Sequence, residues 1–223
     1  MNVNVNVNVN GMLNALCCTL LCYSNFLVIV DVIVIVKEMN RHSLLWYPMR
    51  VSYSSPSRLL QLQEQLSQEP GIQQAYVPME YRVSEGGMQP LPAIDNLLFL
   101  HTTYHDLSQV RRSCNLYEPL RYIMRPVIDD DGGEHSEVLY VPDAEMQQFI
   151  RVTSERSDQV VYLHNLAFAC RPGARVQIIE GPFRGVEGIV KSIQKHLCVV
   201  IPIKDVAAVA ITGIPKKHLI YLK

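Results

Sequence analysis

The sequence predicts an α+β sandwich followed by a small all-β unit, and three observations carry that expectation. Residues 44–153 alternate between strand-type and helix-type apolar periodicity, the pattern of one sheet with helices laid on it. Residues 172–190 form a strand–loop–strand built on glycines: Val176 and Ile178 alternate with Arg175 and Gln177, and Gly181-Pro182-Phe183-Arg184-Gly185 breaks the alternation. The charge also changes sign. Residues 44–153 carry 8 Arg, no Lys and 14 Asp+Glu, a balance of −6, whereas residues 170–223 carry 9 Lys+Arg and 3 Asp+Glu, a balance of +6. That asymmetry suits two units with different partners, although ordinary solubilising charge also accounts for it. With 223 residues, 48% of them hydrophobic and 18% charged, the chain is long enough for one or two domains with a buried core.

Residues 1–43 stand apart as an apolar N-terminal extension. Asn and Val alternate from Asn2 to Asn10, and Met12–Val36 is largely apolar. A signal peptide needs a basic start, yet the first Lys or Arg is Lys37. A membrane span has the length, but Asp31 interrupts it, and a mid-bilayer Asp costs about 2.5–3.5 kcal/mol. The third reading is that translation starts at Met39 and that residues 1–38 are a gene-model artefact; we expect this one.

From Leu44 to Tyr53 the chain reads as a strand, with Pro48 fitting an edge or early position. Ser54, Ser55 and Ser57 around Pro56 offer N-caps, and Leu59, Leu60, Leu62 and Leu66 make one face of a helix that Pro70-Gly71 stops. Ile72 to Val83 is extended, and Ser84-Glu85-Gly86-Gly87 is a flexible loop. The most apolar strand is Ala93–Leu100, expected at the sheet centre. A short helix follows over Asp106–Arg112, then a strand over Leu120–Asp129. A hairpin turn at Asp130-Asp131-Gly132-Gly133 leads to a strand over Val138–Val141. Pro142-Asp143 opens a helix with Met146, Phe149, Ile150 and Val152 on one face. Residues 154–169, polar at first, read as a linker. In residues 170–223, strands are expected near 174–180, 186–193, 197–203, 206–211 and 217–222, with Gly188 where a side chain would obstruct a close backbone.

The stretch from Pro172 to Val190 resembles the KOW motif, the signature of small SH3-like barrels in NusG-type transcription factors and some ribosomal proteins. Preceded by a Trp46-Tyr47 strand in an acidic α+β unit, it resembles the NusG family over roughly residues 44–223. Several segments are similar to the UpxY-type antiterminators of capsular polysaccharide operons, among them Tyr76-Val77-Pro78-Met79, Asn96-Leu97-Leu98-Phe99-Leu100, Val141-Pro142-Asp143 and Met146-Gln147-Gln148-Phe149-Ile150. The resemblance implies a NusG N-terminal-like sandwich that binds the clamp helices of RNA polymerase, and an SH3-like barrel that recruits a further factor, Rho or a small-subunit ribosomal protein. By position, Ile94 and Leu97 fall where the family has aromatics of a Phe-Pro-Gly-Tyr segment, here Ile94-Asp95-Asn96-Leu97. With Phe99 they give an apolar surface lacking those aromatics. Phe183, with Arg184 beside it, falls on the partner-facing loop; a plug for the barrel end is the other reading of Phe183.

The sequence calls for no catalysis, cofactor or small-molecule substrate. Six cysteines form no C-x-x-C pair and fit a reducing cytoplasm, with Cys114 structural. His101 and His105 are spaced for metal ligation but lack a third ligand other than Asp106, so no metal is expected. His101-Thr102-Thr103 also matches a polymerase-contacting tripeptide of a related antiterminator, which there follows the short helix instead of the strand. Asp129-Asp130-Asp131 fits a solvated turn better than a cation site. Lys191, Lys195, Lys216 and Lys217 are candidates for weak nucleic-acid contact through phosphates, but the stacking aromatics are few, Phe183 and Tyr221. An RNA- or ribosome-associated KOW protein is therefore the alternative function.

Overall fold

The computed structural model describes residues 42–223, apart from residues 53, 54, 85, 86, 130, 156, 194, 195, 204 and 223. The expectations for residues 1–41 lie outside the described residues.

The first half is built on a four-stranded antiparallel sheet in the order β2-β5-β1-β6. Its strands are β1 (Leu45–Val51), β2 (Ile72–Tyr76), β5 (Leu97–Thr102) and β6 (Leu120–Tyr122). β5 is flanked on both sides, pairing with β1 in the register Tyr47↔Leu100 and Met49↔Leu98 and with β2 through Tyr76↔Phe99. Strand alternation then sends β5 side chains to opposite faces. Leu98 and Leu100 join Tyr47, Met49 and Val51 under helices α1 (Pro56–Leu66) and α2 (Tyr104–Ser113). Leu97 and Phe99 face the other way, with Trp46 and helix α3 (Asp143–Thr153). Pro56 at the start of α1 and Thr103, whose hydroxyl accepts the Asp106 N–H at the start of α2, set the two helix beginnings.

Two ribbons accompany this sheet, pairing with no other strand among the described residues. β3 (Met79–Ser84) pairs with β4 (Gly87–Pro92), and β7 (Met124–Ile128) with β8 (Glu134–Val138). The sequence anticipates the second turn, where the Gly132 N–H donates to the Asp129 carbonyl at 2.9 Å. It misplaces two strands. The strand expected over Val138–Val141 instead ends at Val138, because β8 spans Glu134–Val138, and Val141 forms an isolated bridge to Trp46. Met88–Pro92, expected as no element, is β4. The central strand is also shorter than expected at its start: Ile94 to Asn96 form a turn, with Asn96 at φ 60°.

The second half is a six-stranded antiparallel sheet in the order β14-β10-β11-β12-β13-β9. Four strands run as a meander: β10 (Arg175–Ile178), β11 (Glu187–Ile193), β12 (His196–Ile203) and β13 (Ala207–Thr212). β14 (Leu219–Tyr221) returns beside β10. The remaining strand is β9 (Val160–Tyr162), from the stretch read as linker, and it pairs with β13. A short helix α4 (Leu166–Ala169) follows it. At Gly188 a Cβ would lie 2.7 Å from Val199 Cγ1 and 2.8 Å from the Val200 carbonyl oxygen, so the close strand approach requires glycine. The described residues thus form a mixed chain of four α-helices and strands whose pairings are antiparallel.

Candidate functional site

The turn Gly181–Gly185 is fixed by its own backbone. The Arg184 N–H donates to the Gly181 carbonyl at 3.1 Å and the Val186 N–H to the Phe183 carbonyl at 3.0 Å. Gly181 and Gly185 sit at φ 86° and 87°, where an L side chain is strained. The turn does not hold Phe183 out to solvent. Its side chain is 2% exposed and belongs to the cluster that also holds Trp46, Leu97, Phe99 and Phe149. Phe183 is therefore a buried plug in this arrangement. Burying a phenylalanine side chain stabilises by about 1.5–3 kcal/mol, ample reason for the ring to turn inward. Arg184 remains exposed, and its carbonyl accepts a hydrogen bond from the Arg151 guanidinium on α3.

Helix α3 is the seam between the halves. Met146, Phe149 and Val152 point into the cluster that Val176, Ile178, Val199 and Ile201 enter from the barrel-side sheet. The Glu187 N–H donates to Gln148 Oε1 at 3.4 Å, next to the Arg151 contact. On the β9 side, the Tyr162 hydroxyl donates to the Met79 carbonyl at 3.1 Å, and burial raises the Tyr162 pKa far above the usual phenol value. An open cleft of about 630 Å³ runs along the seam, with Gln148, Arg175, Glu187 and Ile201 among its walls.

Leu97 and Phe99, the candidates for polymerase contact, are fully buried. The Phe99 ring lies 5.9 Å from that of Phe149 at 50°. Ile94 is half-buried against the same cluster. The structure therefore brings Ile94, Leu97, Phe99 and Phe183 together, in a shared core and not on two free surfaces. The family resemblance singled out Leu97 and Phe99; it gave no sign of what covers them.

The basic candidates separate. Lys191 is only 9% exposed, and its ammonium donates to the Arg171 carbonyl and lies 5.4 Å from the centroid of the Phe168 ring. It is turned away from any phosphate. Lys195 lies outside the described residues. Lys216 and Lys217 are exposed on the 3-10 turn that precedes β14, and Tyr221 is exposed nearby.

His101 and His105 diverge. His101 stacks on Trp46 with ring centroids 4.7 Å apart, and lies 3.7 Å from an Asp143 oxygen that also accepts the Trp46 indole N–H at 2.9 Å. Desolvation lowers the His101 pKa and outweighs the opposing pull of Asp143. His105 is instead paired with Gln109 at 2.7 Å. Among the described residues, no group of three His, Cys, Asp or Glu side chains is placed to hold a metal ion. No described helix is long and apolar enough to cross a membrane. Sequence reasoning missed the Trp46–Asp143–His101 cluster and the Gln148 and Arg151 contacts, because each joins residues far apart in the chain.

Comparison with protein families finds the KOW motif at residues 172–202, spanning β10, the glycine turn, β11 and most of β12. Comparison with curated proteins finds no match.

Proposed function

We propose that this chain is a non-enzymatic, cytoplasmic transcription factor of NusG type. In this reading it binds RNA polymerase at the clamp through its first half and recruits a further factor through its KOW unit. The KOW motif at residues 172–202 carries the reading. Its support is the neighbouring acidic half, whose sheet turns an apolar face of Trp46, Leu97 and Phe99 toward the KOW unit. Holding the clamp would favour the elongating polymerase by a population shift, suppressing pausing or termination. The UpxY-like segments suggest a specialised target such as a surface-polysaccharide operon, and Rho or a small-subunit ribosomal protein is the class of second partner.

Leu97, Phe99 and Phe183 are buried in one shared cluster, so both partners need the halves to part before docking there. The test is RNA-seq readthrough with and without the protein, together with binding of the purified chain to RNA polymerase. Readthrough confined to particular operons, with polymerase bound, is expected. Unchanged readthrough with no polymerase binding overturns the reading.

The exposed Lys216, Lys217 and Tyr221 favour a second reading, an RNA- or ribosome-associated KOW protein. Co-sedimentation with ribosomes, lost on Lys216→Glu and Lys217→Glu without effect on readthrough, would select it.

A further inference from the structure

The β7–β8 ribbon has two unlike faces. Cross-strand partners share a face, so Met124 with Val138, Pro126 with Ser136 and Ile128 with Glu134 form one side. Arg125 with Glu137 and Val127 with His135 form the other. Along β7 the first face is the exposed one: Met124 is 49% and Ile128 69% exposed, with Pro126 exposed between them. Residues two apart on a strand lie about 6.6 Å apart, so the three make an apolar stripe about 13 Å long.

The opposite face keeps the ribbon rigid. His135 places Nδ1 3.1 Å from Asp129 and Nε2 3.2 Å from Glu137. Both nitrogens donate only in the imidazolium, so this geometry suits the charged ring. Arg125 reaches Glu137 at 3.4 Å and lies over the Tyr140 ring at 5.1 Å. The bracing lies on one face; on the other, Val138 packs toward the core, while Met124, Pro126 and Ile128 remain exposed. A solvated ribbon gains nothing from Met124 and Ile128 there, and exposed apolar stripes mark interaction sites.

The ribbon end is acidic. Asp129, Asp131 and Glu134 are exposed around the turn, and Asp130 adds to them in sequence. That charge repels nucleic-acid phosphates and complements a basic surface. We infer that the β7–β8 ribbon is a docking prong for a basic protein surface with an apolar socket, and that this surface belongs to RNA polymerase. The inference rests on the transcription-factor reading. It adds a contact that is accessible while Leu97 and Phe99 are still covered, so the prong can engage before the halves part.

The test measures binding of the full chain to purified core RNA polymerase at low and moderate salt, with a single-stranded and a duplex DNA oligonucleotide as separate probes. Met124→Ser with Ile128→Ser is expected to weaken polymerase binding about tenfold. Asp131→Lys with Glu134→Lys is expected to slow association and flatten its salt dependence, with an unchanged thermal midpoint. The second pair decides the matter if the first lowers the midpoint. Wild-type binding equalled by both folded variant pairs overturns the prong while leaving the functional reading in place. Loss of DNA binding instead of polymerase binding replaces the partner with nucleic acid. Absence of wild-type polymerase binding overturns the functional reading, and the prong with it.

Discussion

The two faces of the β2-β5-β1-β6 sheet are equally dry but covered differently. Leu98 and Leu100 lie under α1 and α2, helices joined to their strands by short turns. Leu97 and Phe99 lie under α3 and, beyond it, Val176, Val199 and Ile201 of the second half, far away in sequence. The first cover is inseparable from the sheet because the same chain must fold both. The second is held by apolar contact and a few hydrogen bonds, among them those of Arg151, Gln148 and Tyr162. Burial alone therefore does not tell the two covers apart; connectivity does.

The largest expected effect comes from truncating each cover. Phe149→Ala should cost about 3–5 kcal/mol and Leu66→Ala about 2–5 kcal/mol by denaturant midpoint. The contrast lies in hydrogen exchange. Phe149→Ala should speed exchange at the Val199, Val200, Ile201 and Ile203 amides, and Leu66→Ala should leave those amides near wild type until global unfolding. Equal acceleration by both would show that the two faces share one cooperative unit.

Gly188→Ala addresses the second half by itself. Its Cβ would collide with Val199 and the Val200 carbonyl, at a cost of about 1–3 kcal/mol in the same assay. Exchange should quicken in β11 and β12 while α1 and α2 stay protected. Arg151→Ala removes one hydrogen bond across the seam and should cost about 1 kcal/mol. Its expected signature is looser protection of the Gly181–Gly185 turn, with little change at Leu98.

The smallest effect is a pH dependence confined to the β7–β8 ribbon. The hydrogen bond to Glu137 raises the His135 pKa, and the hydrogen bond to His135 lowers that of Glu137. The His135 contribution is complete below its unfolded pKa near 6.5 and fades as pH rises through the raised folded value. The Glu137 contribution is present above its unfolded pKa and fades as pH falls through the lowered one. Ribbon protection should thus peak between those two limits, and His135→Gln should flatten the alkaline side.

Much of this arrangement is legible in the residues. Strand-type apolar runs located β1, β5 and the β10–β13 meander, and leucine spacing with Pro56 and Pro70-Gly71 located α1. The strands that escaped notice carry weak strand signals in the sequence. Pro90 and Pro92 argue against a strand, yet β4 tolerates them because it has one partner only. Glu134-His135-Ser136-Glu137 is polar throughout, but β8 needs no buried side in a free ribbon. β9 is three residues long and follows a polar run, so only its pairing with β13 reveals it. The site was less legible than the fold. Phe183 in a glycine turn reads equally as an outward anchor or an inward plug, and only the cover supplied by the first half decides between them.

The position of β9 has a practical side. It lies before the KOW motif in sequence, yet it closes the open flank of β13 through Val209↔Tyr162, Ala210↔Val161 and Ile211↔Val160. A fragment beginning at Pro172 and running to the C-terminal strand would strip that flank, leaving a row of unpaired backbone groups along an almost wholly apolar strand. Such a fragment should self-associate or precipitate, whereas one beginning before Ser157 should remain monodisperse by size-exclusion chromatography.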